Sequence, residues 1–136
     1  MFPKGIYVII IDVPNTKMNV GRLGELKFSG RYAYVGSNQS GGRIKRHLRK
    51  GKVKRWHIDH LTEIGEVVSV VTMKLGKGYE EDLARKLSKK FEFVKNFGNS
   101  DCKDESHLFL VSDGFFAELD KFAKDSSKVP KTRFFR

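Results

Sequence analysis

Two tyrosines, an arginine and a histidine carry the chemical signal of this sequence. Tyr7 ends the triplet Gly5-Ile6-Tyr7, and Tyr34 begins the triplet Tyr34-Val35-Gly36. Arg43 and His47 follow at the i,i+4 spacing that puts two side chains on one side of a helix. A guanidinium fork binds two phosphate oxygens and offsets charge that builds in a transition state. An imidazole moves protons near neutral pH. A phenol ionises only near pH ~10, so it acts as a base only beside a cation or metal. Gathered at one sheet edge, these groups suit cleavage of a phosphodiester. Each also has a plainer reading. A strand tyrosine usually packs with its hydroxyl at a wet rim, Arg43 could be one more solvated cation, and His47 a part-buried helix residue.

The elements that must hold them read as alternating strands and helices. Ile6 to Ile11 is a continuous β-branched run, as in a strand buried on both faces, and Pro14-Asn15 is expected to end it. Residues 16–30 read as a turn, a short extended piece around Glu25 to Phe28, and a second turn at Gly30. Arg31 to Ser37 is the next strand, with Tyr32 and Tyr34 on one face and Ala33 and Val35 on the other. A Gly-rich link leads to a helix over Arg43 to Lys50, stopped by Gly51. His57 to Leu61 fits a helix or a strand. Glu66 to Leu75 reads as a strand, Glu80 to Phe93 as an amphipathic helix, His107 to Val111 as a final strand, and Phe115 to Lys124 as a last helix. The expected fold is a small α/β (α+β) domain over residues 1–124. Its central, mainly antiparallel sheet has three to five strands flanked by helices, with the site at one sheet face. Residues 125–136 read as a basic, mobile tail.

Bulk properties narrow the partners. The 136 residues fit one domain, and the 39% hydrophobic content supports a packed core. The net charge of +11 favours a polyanion, because phosphates release counterions on binding Lys and Arg. Lys45, Arg46, Arg49, Lys52, Lys54 and Arg55 are the candidate nucleic-acid contacts. The single cysteine, Cys102, excludes a disulfide within the chain and suits a reducing cytoplasm. No stretch approaches the ~20 apolar residues of a membrane span, so no membrane partner is expected.

The chain resembles the GIY-YIG nuclease superfamily, with Gly5-Ile6-Tyr7 and Tyr34-Val35-Gly36 as the two halves of the name motif. It is most similar to a microbial branch of that superfamily sometimes fused to endonuclease III. The branch blocks are Tyr32-Ala33-Tyr34-Val35-Gly36-Ser37, Arg55-Trp56-His57-Ile58-Asp59, Gly98-Asn99-Ser100-Asp101-Cys102 and Ser106-His107-Leu108-Phe109. The resemblance runs from about Gly5 to Phe109. It implies a GIY-YIG-like fold and a metal-dependent endonuclease acting on DNA, in a repair setting, with a repair enzyme such as endonuclease III as a partner. It implies that Tyr7 directs or deprotonates the attacking water, with Tyr34 in the same network and Arg43 and His47 on the phosphate. Glu80 then holds a divalent metal, Mg²⁺ or else Mn²⁺, with Glu81 as a competitor for that place. Asn96 and Asn99 match the superfamily's asparagine only loosely. The spacer from Val8 to Ala33 is longer than in most of the superfamily.

His57, Asp59, Cys102 and His107, with His60 near them, form a second cluster of metal-capable types, although their spacing matches no compact zinc motif. The plainer reading is a hydrogen-bonded structural network with Trp56 packed beside it. The alternative function is a non-catalytic nucleic-acid-binding module, accessory to a repair enzyme, in which Tyr or Trp56 stacks on bases. DNA and RNA are not separable at this level.

Overall fold

Successive side chains of the first strand enter two different apolar layers. Ile6, Val8 and Ile10 join one buried cluster, while Tyr7, Ile9 and Ile11 join the other. That alternation is what a continuous β-branched run dictates when both faces are covered. The computed structural model describes residues 4–38, 42–51, 54, 56–98, 106–126 and 131–134. Within them the order is β1 (Gly5–Asn19), β2 (Glu25–Asn38), α1 (Arg43–His47), α2 (His57–Ile64), β3 (Glu66–Met73), α3 (Gly78–Ser88), β4 (Leu108–Leu110), α4 (Phe115–Asp125) and β5 (Lys131–Phe134). A 3-10 turn at Gly21–Leu23 joins β1 to β2.

The strands form one five-stranded sheet in the order β4-β2-β1-β3-β5, with every pairing antiparallel. Helices α3 and α4 cover one face through Leu83, Leu87, Phe115, Leu119 and Phe122. Helices α1 and α2, with Phe97, cover the other through Ile44, Ile58 and Leu61. The fold is α+β, as the sequence predicts. None of the helices is long and apolar enough to cross a membrane, among the described residues.

Three expectations change. Strand β1 does not stop at Pro14-Asn15; it runs on to Asn19, and a register shift between Val13 and Thr16 absorbs the proline. Nor does Gly30 make a turn. At φ 114° it stays inside β2, so the separate short piece and the later strand are one long hairpin arm. Residues 131–134, read from sequence as part of a tail, pair with β3 as the strand β5. Elsewhere α2 resolves the ambiguous His57 stretch as a helix, and α1 and α3 end earlier than expected, at His47 and Ser88.

Candidate active site

Tyr7 and Gly36 are register partners on β1 and β2. The Tyr7 ring lies over the bare glycine: a Cβ at position 36 would stand 2.2 Å from Tyr7 Cζ and Oη. The ring is thus laid flat toward α1, where Tyr7 Oη and His47 Nε2 share a hydrogen bond of 2.9 Å. Both residues are 2% exposed. Burial pushes the Tyr7 phenol well above its ordinary value of 10.0; Tyr34 pushes the same way, and the charge of Arg43 partly opposes them. Tyr7 is therefore a neutral phenol, able to donate to Nε2 when the imidazole proton sits on Nδ1.

Helix α1 brings Arg43 and His47 to this point. Asn38, fully buried at the end of β2, accepts the Arg43 backbone N–H at 2.9 Å on its Oδ1 and so fixes where the helix starts. The Arg43 side chain is exposed and donates to the Ser37 carbonyl at 3.4 Å. Its guanidinium lies 5.2 Å from the Trp56 ring centre, and that of Arg46 lies 4.4 Å away. Trp56 in turn meets the edge of His47 at 5.9 Å. The helix thus packs its imidazole inward and leaves Arg43 reaching solvent.

Tyr34 rests against a second glycine. A Cβ on Gly98 (φ 73°) would come within 2.7 Å of Tyr34 Cε1. The Gly98 N–H donates to His57 Nδ1 at 2.9 Å, and His57 packs on Phe97 at 5.4 Å. Tyr34 stands 6.4 Å from Tyr7 and 6.0 Å from His47, ring centre to ring centre, so the four predicted groups Tyr7, Tyr34, Arg43 and His47 do converge.

Glu80 reaches the same end of the sheet from the first turn of α3. Its Oε2 lies 3.1 Å from His107 Nδ1, which also approaches the Val35 carbonyl at 3.2 Å. Glu80 keeps 16% of its side chain exposed and acts on Tyr7 through its charge. Glu81 is exposed on the same turn.

The description "domain of unknown function DUF123" belongs to a family model that matches residues 6–127. The chain belongs to this family. No curated protein and no solved structure matches it.

In this DUF123 domain the second cluster is dispersed. Asp59 takes a bidentate pair from Arg46 at 2.6 and 2.9 Å and also accepts the Trp56 backbone N–H at 2.9 Å, which caps α2. His57 serves Gly98, and His107 serves Glu80 and β2. Among the described residues no three of His, Cys, Asp and Glu gather to hold a metal. His57, Asp59 and His107 are each taken up in hydrogen bonds within the fold, as in the plainer of the two sequence readings. Cys102 and Asn99 lie outside the described residues. Asn96 is exposed at φ 63° and makes a turn.

The basic residues divide in the same way. Lys45, Arg49 and Lys54 are exposed. Arg46 is instead committed to the fully buried Asp59, which corrects its assignment as a phosphate contact. Lys52 and Arg55 lie outside the described residues. Sequence reasoning missed Lys50, whose ammonium donates to the carbonyls of Thr62, Glu63 and Gly65 at 2.6, 2.9 and 2.5 Å and closes the C-terminus of α2. It also missed Gly98 as the seat of Tyr34. Gly36 belongs to the name motif and Gly98 to a separate block, and only the packing shows which ring each carries.

Proposed function

We infer that this DUF123 domain is a GIY-YIG-type endonuclease that hydrolyses DNA phosphodiesters with a divalent metal. The observation that supports this best is the Tyr7–His47 hydrogen bond, formed within one turn of an exposed Arg43. Arg43 would take the phosphate on its fork, orient it, and offset the charge gained on attack. The raised pKa of Tyr7 argues against a standing phenolate. A relay fits better. An attacking water gives its proton to Tyr7 Oη as the Tyr7 proton passes to His47 Nε2. The resulting hydroxide bonds to phosphorus, the P–O bond to the leaving oxygen breaks, and solvent protonates that oxygen. Tyr7 ends neutral, as its burial demands.

Glu80 is the carboxylate that would hold Mg²⁺ or Mn²⁺. Its partial exposure admits the water such an ion retains, and one carboxylate with water and substrate phosphate is a common Mg²⁺ set. The charge supplied there would offset that of the phosphate. The wild type, Arg43→Ala and Glu80→Gln should be compared on labelled single-stranded, duplex, flap and junction DNA, with Mg²⁺, Mn²⁺ or EDTA. Metal-dependent cutting by the wild type alone is the expected result. If the two variants cut as fast as the wild type, the reading is wrong.

One observation favours a second reading, that of a nucleic-acid-binding module serving a repair enzyme. Tyr7 and His47 are each only 2% exposed, so substrate meets Arg43 before it meets the dyad. Salt-sensitive, metal-indifferent binding without products on any substrate would favour the module.

A further inference from the structure

A groove of about 270 Å³ runs between α3 and α4, on the sheet face opposite Tyr7 and His47. Leu83, Leu87 and Phe122, core residues only 1, 2 and 6% exposed, form its apolar floor, and Lys86, Lys89 and Lys121 supply its charge. The Lys86 ammonium stands 5.5 Å from the centre of the Phe122 ring. Tyr79, 39% exposed, meets the same ring edge-on at 6.3 Å and extends the apolar surface. Lys90, just past the end of α3, bonds Glu118 of α4 at 2.7 Å. Glu118 is held below the usual carboxylate range, first by that hydrogen bond and then by the charges of Lys90, Lys121 and Lys86. A carboxylate already in the groove thus shows which charge the groove accepts.

An occupant must satisfy two demands at once. The apolar lining calls for an apolar side chain, and the lysines call for carboxylates around it. A phosphodiester backbone meets the second demand but not the first. We propose that the α3–α4 groove docks an acidic peptide segment of a partner protein that inserts an apolar side chain between the two helices. Such a segment gains affinity from the buried anchor and register from the flanking charges. The sheet separates this groove from the Tyr7 face, so the proposal stands apart from the nuclease reading.

The test uses the full chain and a set of fluorescein-labelled acidic peptides. Each bears one or two Leu or Phe anchors at varied spacing, with an anchor-free acidic peptide and a single-stranded oligonucleotide for comparison. Anchored peptides should bind more tightly than the anchor-free one. Lys86→Glu with Lys121→Glu should weaken them about tenfold or more, because attraction becomes repulsion at two places. Tyr79→Ala should weaken them with the charge intact, and Arg43→Ala should leave them unchanged. If the double reversal fails to fold by circular dichroism, Lys86→Ala with Lys121→Ala takes its place. Binding that ignores the anchor, or no peptide binding above the anchor-free control, overturns the proposal. So does oligonucleotide binding that the lysine variants abolish while no peptide binds.

Discussion

The Tyr7 ring occupies the place where a side chain of Gly36 would be. The two residues face each other across β1 and β2, and the missing Cβ lets the phenol lie down toward His47 instead of standing off the sheet. The spacing of the motif is thus a packing requirement before it is a chemical one. Gly36→Ala should cost about 1–3 kcal/mol, since a buried ring 2% exposed has no room to retreat. Urea unfolding measures this, and an unchanged midpoint would show that the ring moves freely.

Arg43 and Arg46 sit three residues apart on one helix and should respond in opposite ways. Removing Arg46 leaves the fully buried Asp59 carboxylate uncompensated, a loss of about 3–5 kcal/mol. Arg43→Ala touches an exposed side chain and should stay within about 0.5 kcal/mol of the wild type, while removing cleavage. Thermal melts of both variants, beside the cleavage assay, separate the scaffold cation from the working one. Comparable melting losses would erase the distinction.

His57 should make the Tyr34 seat sensitive to acid. Its pKa lies below the ordinary 6.5, first from burial and then from the charge of His60. The neutral ring is the folded form, because its Nδ1 accepts the Gly98 N–H. The corresponding stability is present above 6.5 and is lost as pH falls through the depressed folded value. The Gly98 amide resonance should titrate in that range and stop doing so in His57→Phe. A resonance indifferent to pH would mean the bond is not made in solution.

Tyr7 predicts the opposite limb. Below 10.0 the phenol is protonated whether the chain is folded or not, so nothing is lost. Above it the unfolded chain ionises first, and stability falls as pH climbs toward the raised folded value. Tyr7→Phe should flatten part of that alkaline slope, measured as the urea midpoint at rising pH. A slope identical to that of the wild type would count against a buried neutral phenol.

Periodicity and residue type made the layers legible. The run Ile6 to Ile11, the Tyr32/Ala33 alternation and the leucines of α3 each belong to a core face that the sequence displays. Breaker residues misled where tertiary pairing outweighs local preference. The proline at position 14 is absorbed by a shift of register, and Gly30 stays extended because strand β1 lies beside it. Strand β5 went unseen because four residues with no apolar alternation declare themselves only through their partner. The Tyr-Arg-His set was legible from spacing. The fate of Arg46 was not, since charge alone cannot tell a cation facing solvent from one facing a buried carboxylate 13 residues away in the chain, at Asp59. No local pattern announces that the guanidinium groups of Arg43 and Arg46 both lie against Trp56.

Strand β5 has one more consequence. It lies along the outer side of β3, pairing Phe134 with Ser69, Arg133 with Val70 and Thr132 with Val71. Without it, β3 would offer a valine-rich row of backbone donors and acceptors to any neighbouring chain, the template on which cross-molecular sheets grow. A short strand with an exposed Arg133 ends that row with charge. Detaching residues 131–134 from the sheet would therefore leave the Tyr7 site in place and open β3 to pairing with a neighbouring chain.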